Sequence, residues 1–339
     1  MGALGLASSL ALLLAVQPQV AGAPTWQQMP FPYETVASVA FAPDDEQSVY
    51  ATGSNPATGE SGAFHSSDAG MTWRLLAPAL PGDTASSIAV DPGDASRLYA
   101  TTYRYEAGLP TTRIYTSPDA GISWWLTGEF ADSCGGKFIA GPSSGGEIYL
   151  DTGCAGHFFV SADRGLTWDR RADAFEVTAG RNGVLYGVLD GIVRSSDGGR
   201  SWTPMGANPA ACPFVAALAA DPDVSERLYA GTGQVRMIFT VCGGLYRSDD
   251  AGGIWSGIPT EPVSSLAVDA TDPSRVFAAF WFGSVALSRD SGLHWSMLPP
   301  LNGGAPSLTL SASGQILFGA PSGGLYRMTF RKPRALEPR

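Results

Sequence analysis

The pattern Ser-x-Asp-x-Gly-x-x-Trp occurs six times in this chain of 339 residues, and this repetition constrains the fold more than any other feature. The copies are Ser66–Trp73, Ser117–Trp124, Ser161–Trp168, Ser195–Trp202, Ser248–Trp255 and Ser288–Trp295. Successive copies begin 34 to 53 residues apart. Self-similarity on this scale is typical of stacked or circular arrays, in which each repeat is one supersecondary unit. The sequence therefore predicts a single array of similar units rather than unrelated domains.

Each copy lies between two segments in which apolar and polar residues alternate, as they do in the strands of a β-hairpin. In the first copy, Gly62–Ser67 precedes the turn and Met71–Leu75 follows it. The glycine at the fifth position suits a positive φ, and the Asp carboxylate can accept hydrogen bonds from N–H groups of the turn. The Trp then supplies a large apolar surface for packing between neighbouring sheets. The pattern thus predicts six hairpins with the same turn.

The pattern resembles the Asp-box, or bacterial neuraminidase, repeat of sialidases, sortilin-type receptors, xyloglucanases and a photosystem II assembly factor. In those families the box is a structural turn on the outer C–D hairpin of a propeller blade, away from the active site. The resemblance covers residues 25–330 and implies a fold, not an activity. It implies a structural role for the six box aspartates, which are Asp68, Asp119, Asp163, Asp197, Asp250 and Asp290.

Two further apolar segments precede each box, so two strands and the box hairpin predict a four-stranded antiparallel blade. A seventh set without a box follows the last copy; its segments are Ser307–Leu310, Gln315–Phe318 and Gly323–Arg327. Thr25–Met29, with Trp26 in the position of the box Trp, is expected to add the fourth strand beside Gly323–Phe330 and so close the ring. The sequence predicts an all-β fold, a single seven-bladed β-propeller over residues 24–331, followed by a polar tail at 332–339.

The composition limits the compartment and the partners. A net charge of −10 with only two lysines argues against binding to nucleic acid or to anionic membrane surfaces. Residues 1–23 resemble a secretory signal peptide, because Leu4–Val16 is an apolar run too short to span a bilayer and Ala21-Gly22-Ala23 suits cleavage. Cleavage after Gly22 and an uncleaved anchor are the alternatives. We expect a periplasmic or secreted protein that is not inserted in the membrane after processing.

The four cysteines are consistent with export. Cys134 and Cys154 flank the first two predicted strands of blade 3, and Cys212 and Cys242 flank the first two of blade 5. All four lie at the same end of their blades, so the pairs within a blade are favoured among three possible connectivities. A metal site is the alternative, but neither a CxxC motif nor a Cys/His spacing supports one. No metal and no cofactor are predicted.

The candidate binding site lies in the B–C loops, which vary most between the predicted blades. These loops are Gly53–Gly62 in blade 1, Tyr103–Thr112 in blade 2 and Gln234–Cys242 in blade 5. Variable loops on a repeated scaffold commonly carry function. Together with a hairpin tip in blade 6, they hold the ligand-binding candidates Tyr103, Arg104, Tyr105, Arg236, Phe239, Trp281 and Phe282. Aromatic faces suit a sugar ring or a peptide, and arginines suit anions. Packing of the loops against one another is the alternative role.

Two functions fit these features. The first is a non-catalytic binding module or scaffold for a protein or carbohydrate ligand, with the oligomeric state left open. The alternative is a glycoside hydrolase, sialidase-like or xyloglucanase-like, which needs two carboxylates about 5–10 Å apart. Its candidates are Glu34, Glu60, Asp83, Glu106, Glu129 and Asp132. The sialidases that resemble this chain carry a Phe/Tyr-Arg-Ile-Pro segment, whereas Met29-Pro-Phe-Pro32 has no arginine. The related xyloglucanases have two propellers, whereas this sequence predicts one, as in the photosystem II assembly factor. The resemblance therefore favours a binding module over a hydrolase.

Overall fold

The structure is a computed structural model that describes residues 24–76, 80, 83–106, 108–140, 146–152, 156–209, 214–236, 239–304 and 306–330, with the backbone alone at 140, 234–236 and 239–242. Within these residues, strands β1 to β28 form seven four-stranded antiparallel sheets, and each sheet is one blade of a β-propeller. One 3-10 turn, Arg181–Gly183, is the single helical element in this part of the chain.

Blades 1 to 4 follow one another along the chain. Blade 1 contains β2 (Thr35–Ala42), β3 (Asp45–Asn55), β4 (Glu60–Ser66) and β5 (Arg74–Leu75). Blade 2 contains β6 (Thr84–Asp91), β7 (Asp94–Glu106), β8 (Leu109–Ser117) and β9 (Trp125–Ala131). Blade 3 contains β10 (Lys137–Ala140), β11 (Ile148–Thr152), β12 (His157–Ser161) and β13 (Asp169–Arg170). Blade 4 contains β14 (Phe175–Ala179), β15 (Leu185–Val188), β16 (Ile192–Ser195) and β17 (Thr203–Gly206).

Blades 5 to 7 complete the propeller. Blade 5 contains β18 (Val215–Ala220), β19 (Leu228–Arg236), β20 (Phe239–Ser248) and β21 (Ser256–Pro259). Blade 6 contains β22 (Val263–Val268), β23 (Val276–Phe280), β24 (Val285–Ser288) and β25 (Ser296–Leu298). Blade 7 contains β26 (Ser307–Leu310), β27 (Ile316–Ala320) and β28 (Leu325–Thr329), and its fourth strand is β1 (Gln27–Met29).

The first strand of every blade contacts the first strand of the next, so these strands form the innermost ring. The second strand of each blade places one large aromatic side chain between neighbouring sheets, at most 3% exposed to solvent. These residues are Tyr50, Tyr99, Tyr149, Tyr186, Tyr229, Phe277 and Phe318. Because they occupy the same register position in every blade, burial of these rings provides a repeated core between the sheets.

The ring is closed by strands from both ends of the described chain. Strand β1 pairs antiparallel with β28, and Gln28 lies opposite Tyr326. Trp26 packs against the core cluster between blades 6 and 7 and donates its indole N–H to the carbonyl of Pro299 at 2.7 Å. Blade 7 in turn contacts blade 1, where Thr309 Oγ1 donates to the carbonyl of Val39. The predicted closing strand is confirmed, and it covers the edge that β28 would otherwise expose.

The six boxes form the same hydrogen-bonded turn between the third and fourth strands. In every box the Ser hydroxyl donates to Asp Oδ1 at 2.7 to 2.9 Å. The same Ser oxygen accepts the N–H of the box glycine. The Asp also accepts the backbone N–H four residues later, as Thr72 N–H does for Asp68 Oδ1. Because the carboxylates satisfy the turn, their role in this fold is structural.

Three segments predicted as loops are instead extended hairpins. In blade 2, β7 and β8 pair from Leu98 and Ser117 as far as Glu106 and Leu109. In blade 5, β19 and β20 pair as far as Arg236 and Phe239. Blade 1 has a similar extension, because β3 and β4 pair as far as Asn55 and Glu60. The sequence placed the strand ends too early in these three blades, because the second and third strands continue to pair through most of the predicted B–C loops.

Some predictions fall on residues that the structure does not describe. These include the predicted signal peptide, the polar tail, Cys154 and Cys212. Cys134 is disulfide-bonded. The side chain of Cys242 also lies outside the described part, so the two pairings stay predictions. No helix among the described residues is long and apolar enough to cross a membrane.

Candidate functional site

The antiparallel strands divide the propeller into two faces. The box face carries the box turns and the turns between first and second strands. The loop face carries the hairpin tips between second and third strands and the segments that lead into each first strand. All sequence-predicted ligand candidates belong to strands or tips that end at the loop face.

The blade 2 hairpin presents two of the predicted aromatic residues. Tyr103 is half-buried and lies in an edge-to-face contact with Tyr105, with ring centroids 6.4 Å apart. Tyr105 is 70% exposed and lies two residues further towards the tip. The hairpin therefore offers one anchored ring and one free ring to a ligand on the loop face.

An ion-pair network at the base of this hairpin includes three of the six predicted catalytic carboxylates. Asp83 is buried and accepts from Arg113 Nη1 at 3.2 Å and from Thr102 Oγ1 at 3.2 Å. Arg113 also donates from Nε to Glu129 at 2.6 Å. Arg104 lies 3.8 Å from Asp83 and pairs with Glu106.

This network changes the roles expected from sequence. Asp83, Glu106 and Glu129 are each neutralised by an arginine, so they do not face one another as a free carboxylate pair. Arg104, expected to contact an anionic ligand, already has two acidic partners in the chain.

Trp281 and Phe282 form the tip between β23 and β24 of blade 6. The tip is tight, because Gly283 donates its N–H to the carbonyl of Phe280 at 3.0 Å. It is tied to the preceding segment by a hydrogen bond from Trp281 N–H to the carbonyl of Pro262 at 2.9 Å. Phe282 is 61% exposed and Trp281 is also exposed. Both rings therefore project from a fixed backbone.

The remaining predicted residues are dispersed. Glu34, Glu60 and Asp132 are exposed, and Glu60 accepts from Thr58 Oγ1 at 3.0 Å. Arg236 and Phe239 pair across the end of the blade 5 hairpin, but their side chains lie outside the described part. Blade 2 and blade 6 are separated by blades 7 and 1, so the aromatic candidates form two patches rather than one.

The structure also shows a pocket that the sequence analysis missed. It has a volume of about 110 Å³ and is lined by Gly136, Lys137, Asp151, Phe175 and Glu176. Lys137 begins β10, Phe175 begins β14 and Asp151 lies near the end of β11. These strand ends belong to the loop face, and β10 and β14 are innermost strands, so the pocket opens between blades 3 and 4 beside the central channel.

Register around the innermost ring explains how this pocket arises. In each blade the buried aromatic residue of the second strand pairs with one residue of the first strand, as Tyr50 pairs with Ala40. The position that faces the pocket in blades 3 and 4 lies two residues before that paired residue, as Ser38 lies before Ala40. The seven residues at this position are Ser38, Ser87, Lys137, Glu176, Ala217, Ser265 and Ser307. Five blades carry serine or alanine there, whereas blades 3 and 4 carry adjacent opposite charges. An alignment of the repeats within the chain would have revealed this signal.

The carboxyl groups of the pocket titrate unusually. Burial, followed by repulsion from Glu176, raises the pKa of Asp151 to about 7, although Val177 N–H and Lys137 favour the anion. Burial also raises the pKa of Glu176, and the charge of Lys137 opposes that shift. Carboxyl groups with raised pKa values in a cleft are candidates for a functional site.

Comparisons with known proteins support the fold. No family model matches the chain. A xyloglucanase from Paenibacillus sp is 23% identical over 331 residues, covering 79% of this chain. The chain spans about a third of the length of the curated xyloglucanases that it matches.

Two solved structures show the same propeller. The GH74 xyloglucanase from Xanthomonas campestris superposes with a TM-score of 0.68 and 20% identity, covering 92% of this chain and 55% of that one. YCF48 bound to D1 peptide superposes with a TM-score of 0.66 and 16% identity, covering 91% of this chain and 97% of that one. At these identities the likeness shows the fold, a seven-bladed propeller, and leaves the activity open.

Proposed function

We propose that this protein is an exported binding module that holds a protein or glycan ligand on its loop face without catalysis. The observation that carries the proposal is the pair of exposed aromatic rings at the blade 6 tip. Trp281 and Phe282 project from a turn fixed by hydrogen bonds, so a ligand can bury them at little cost in ordering. Aromatic residues on a rigid backbone are typical anchors of binding surfaces.

Two further observations support binding over catalysis. Three of the carboxylates expected to serve a hydrolase are paired with arginines at the base of the blade 2 hairpin. A solved propeller of the same size, YCF48, is described as bound to D1 peptide. A peptide or protein ligand on this chain is consistent with both observations.

The test compares two faces of the same propeller. The Trp281→Ala/Phe282→Ala double variant removes the tip rings, and the Ile122→Ala/Leu293→Ala control removes two exposed apolar side chains from the box face. Binding is measured on a glycan array and on a displayed peptide library. We expect the tip variant to lose the ligands of the wild type while keeping its melting temperature. Retained binding by the tip variant, or equal loss in the control, would overturn the proposal.

Export belongs to the same proposal. The apolar segment at residues 4–16 and the small residues before Pro24 support it. Expression of the full chain in a bacterial host, fractionation and amino-terminal sequencing give the test. Mature protein outside the cytoplasm, beginning at Ala23 or Pro24, is the expected result, and full-length protein in the cytoplasm would contradict export.

Glycoside hydrolysis is the second candidate, favoured by one structural observation and one comparison. Asp151 and Glu176 line a single pocket, and both have raised pKa values, as a general acid requires. The curated relatives are named xyloglucanases. The test incubates the wild type and Glu176→Gln with xyloglucan and measures new reducing ends. Release by the wild type that the variant lacks would establish the hydrolase in place of the binding module.

A further inference from the structure

The pocket between blades 3 and 4 contains a carboxylate oxygen that the fold leaves without a partner. Asp151 is 6% exposed, and its Oδ2 accepts the N–H of Val177 at 3.0 Å. Its Oδ1 is buried and has no hydrogen-bond partner among the described residues. A buried acceptor without a donor costs free energy that a ligand donor would recover. The orphan oxygen belongs to a side chain that lines the pocket, so the pocket itself is where that donor would lie.

The second carboxylate is held in place by a strained backbone. Glu176 has φ +47, a left-handed conformation that is uncommon for a residue other than glycine. It lies in a bulge of β14, between the paired residues Phe175 and Thr178. Asp151 stabilises this bulge, because the N–H that it accepts is that of the next residue, Val177. The two carboxylates are thus built as one unit, and such strain commonly persists at binding sites.

The wall of the pocket adds an apolar ring. Phe175 is exposed at the rim and rests on Gly156, where a Cβ would lie 2.4 Å from the ring. A ring next to two carboxyl groups suits an organic cation, which the π face attracts and the carboxylates neutralise. Neither Asp151 nor Glu176 has an ion pair with Lys137 in the described part of the chain. The pocket therefore keeps an excess of acceptors over donors.

We propose that this pocket receives the protonated amino or guanidinium group of a polypeptide ligand, with Asp151 Oδ1 and the Glu176 carboxylate as acceptors and Phe175 as the covering ring. The inference rests on the proposed binding function and specifies its partner as a polypeptide with a lysine, arginine or free amino terminus. The volume of about 110 Å³ accommodates one such group. Lys137, at the edge of the same pocket, would repel the cation and limit its affinity.

The first test uses small probes on the whole protein. Nα-acetyl-lysine methylamide and the arginine equivalent are titrated calorimetrically, with the norleucine equivalent as the neutral control. A dissociation constant on the order of 1 mM is expected for the cationic probes. Asp151→Asn and Glu176→Gln should each weaken binding at least tenfold, and Lys137→Met should strengthen it. Glu34→Gln, an exposed carboxylate elsewhere on the protein, is the matched control and should change nothing. Stronger binding of one cationic probe identifies an ammonium or a guanidinium as the preferred group, and both results support the inference.

Protonation gives a second, independent readout. Lys137 and Glu176 are the charged side chains that act on Asp151, and Lys137 acts on Glu176. A bound cation favours the ionised carboxyl groups, so binding near pH 7 should release protons and weaken as pH falls to 5. Titrations in buffers of different ionisation enthalpy count these protons. Equal affinity for the norleucine probe, binding unaffected by Asp151→Asn, or no proton release would each overturn the inference.

The outcomes separate this inference from the proposed function. If the tip variant loses a ligand but the cationic probes do not bind, only the cation pocket is wrong. If the probes bind but no glycan or peptide depends on Trp281 and Phe282, only the aromatic site is wrong. If xyloglucan is hydrolysed and Glu176→Gln abolishes hydrolysis, the pocket is catalytic and the cation inference fails.

Discussion

Each Asp box turns the chain through two consecutive left-handed residues. The fifth position is glycine in every copy, with φ between +77 and +98. The fourth position also has a positive φ, from +54 to +71, although it is Ala, Arg or Ser in five of the six copies. The Ser and Asp side chains offset this strain, because they accept the N–H groups that the turn leaves unpaired.

Each box glycine also allows contact with the preceding blade, and one substitution measures that contact. At Gly165 a Cβ would lie 2.4 Å from the Tyr99 ring, whereas at Gly59, which has a similar φ, nothing lies within 4 Å. We expect Gly165→Ala to lower the free energy of unfolding by about 3 kcal/mol, from left-handed strain and overpacking together. Gly59→Ala should cost about 1 kcal/mol, from strain alone. Equal losses in chemical denaturation would show that the inter-blade contact is unimportant.

Asp151 gives a prediction for the pH dependence of stability. Its pKa is 3.8 in the unfolded reference and about 7 in the folded protein, raised by burial and then by Glu176. Between pH 4 and pH 7 the unfolded chain therefore loses this proton while the folded protein keeps it, so its contribution to stability falls as pH rises. Asp151→Asn, which can still accept from Val177 N–H, should flatten the curve of melting temperature against pH in this window. Asp132→Asn, at an exposed site, is the control and should keep the wild-type slope of melting temperature against pH. If Asp151→Asn also keeps that slope, the prediction is wrong.

At the scale of elements, the blade 2 hairpin is stabilised at its base by buried charge. Arg113 bridges Asp83, whose side chain is 2% exposed, and Glu129, whose side chain is 43% exposed. Arg113→Met would leave the buried carboxylate with the more distant Arg104, and we expect a loss of about 3 kcal/mol. Glu129→Gln removes only the exposed partner and should cost less than about 1 kcal/mol.

The arginine prediction is checked by urea denaturation with a double-mutant cycle. Adding Asp83→Asn to Arg113→Met removes the uncompensated charge, so the double variant should recover most of the lost stability. If the double variant is as unstable as Arg113→Met, the loss comes from packing of the arginine side chain and not from the buried charge.

The sequence predicted the blades well and the loop face poorly, for a physical reason. Box turns depend on side chains close in sequence, so Ser66, Asp68 and Gly70 determine them locally. The blade 2 hairpin extends by pairs such as Arg104 with Thr111, and its buried carboxylate, Asp83, is held by Arg113, which is distant in sequence. The pocket of Asp151 and Glu176 combines residues of two blades, so no single segment identifies it, and its signal lies in the alignment of the repeats.

The whole molecule depends on one joint between the two ends of the described chain. Strand β1 adds only three paired residues to blade 7, yet Trp26 packs in the core cluster that blades 6 and 7 share, which includes Leu317 and Phe330. Blade 7 then stabilises blade 1, because Arg327 Nη1 donates to the carbonyl of Ala69 at 2.8 Å. Every other blade is contributed by consecutive strands, so blade 7 is the blade that loses a strand when the described chain is shortened at its start.

A chain that begins at Pro30 tests the closure. Without β1, the backbone groups of β28 become an unpaired edge that can pair with a second molecule. We expect a lower melting temperature and concentration-dependent oligomers, measured by calorimetry and by light scattering after gel filtration. Gln27→Ala, which keeps the strand and changes one exposed side chain, should remain like the wild type in both measurements. A monomeric truncation product with the melting temperature of the wild type would mean that the contacts between blades 7 and 1, such as that of Phe41 with Phe318, close the ring without the strand.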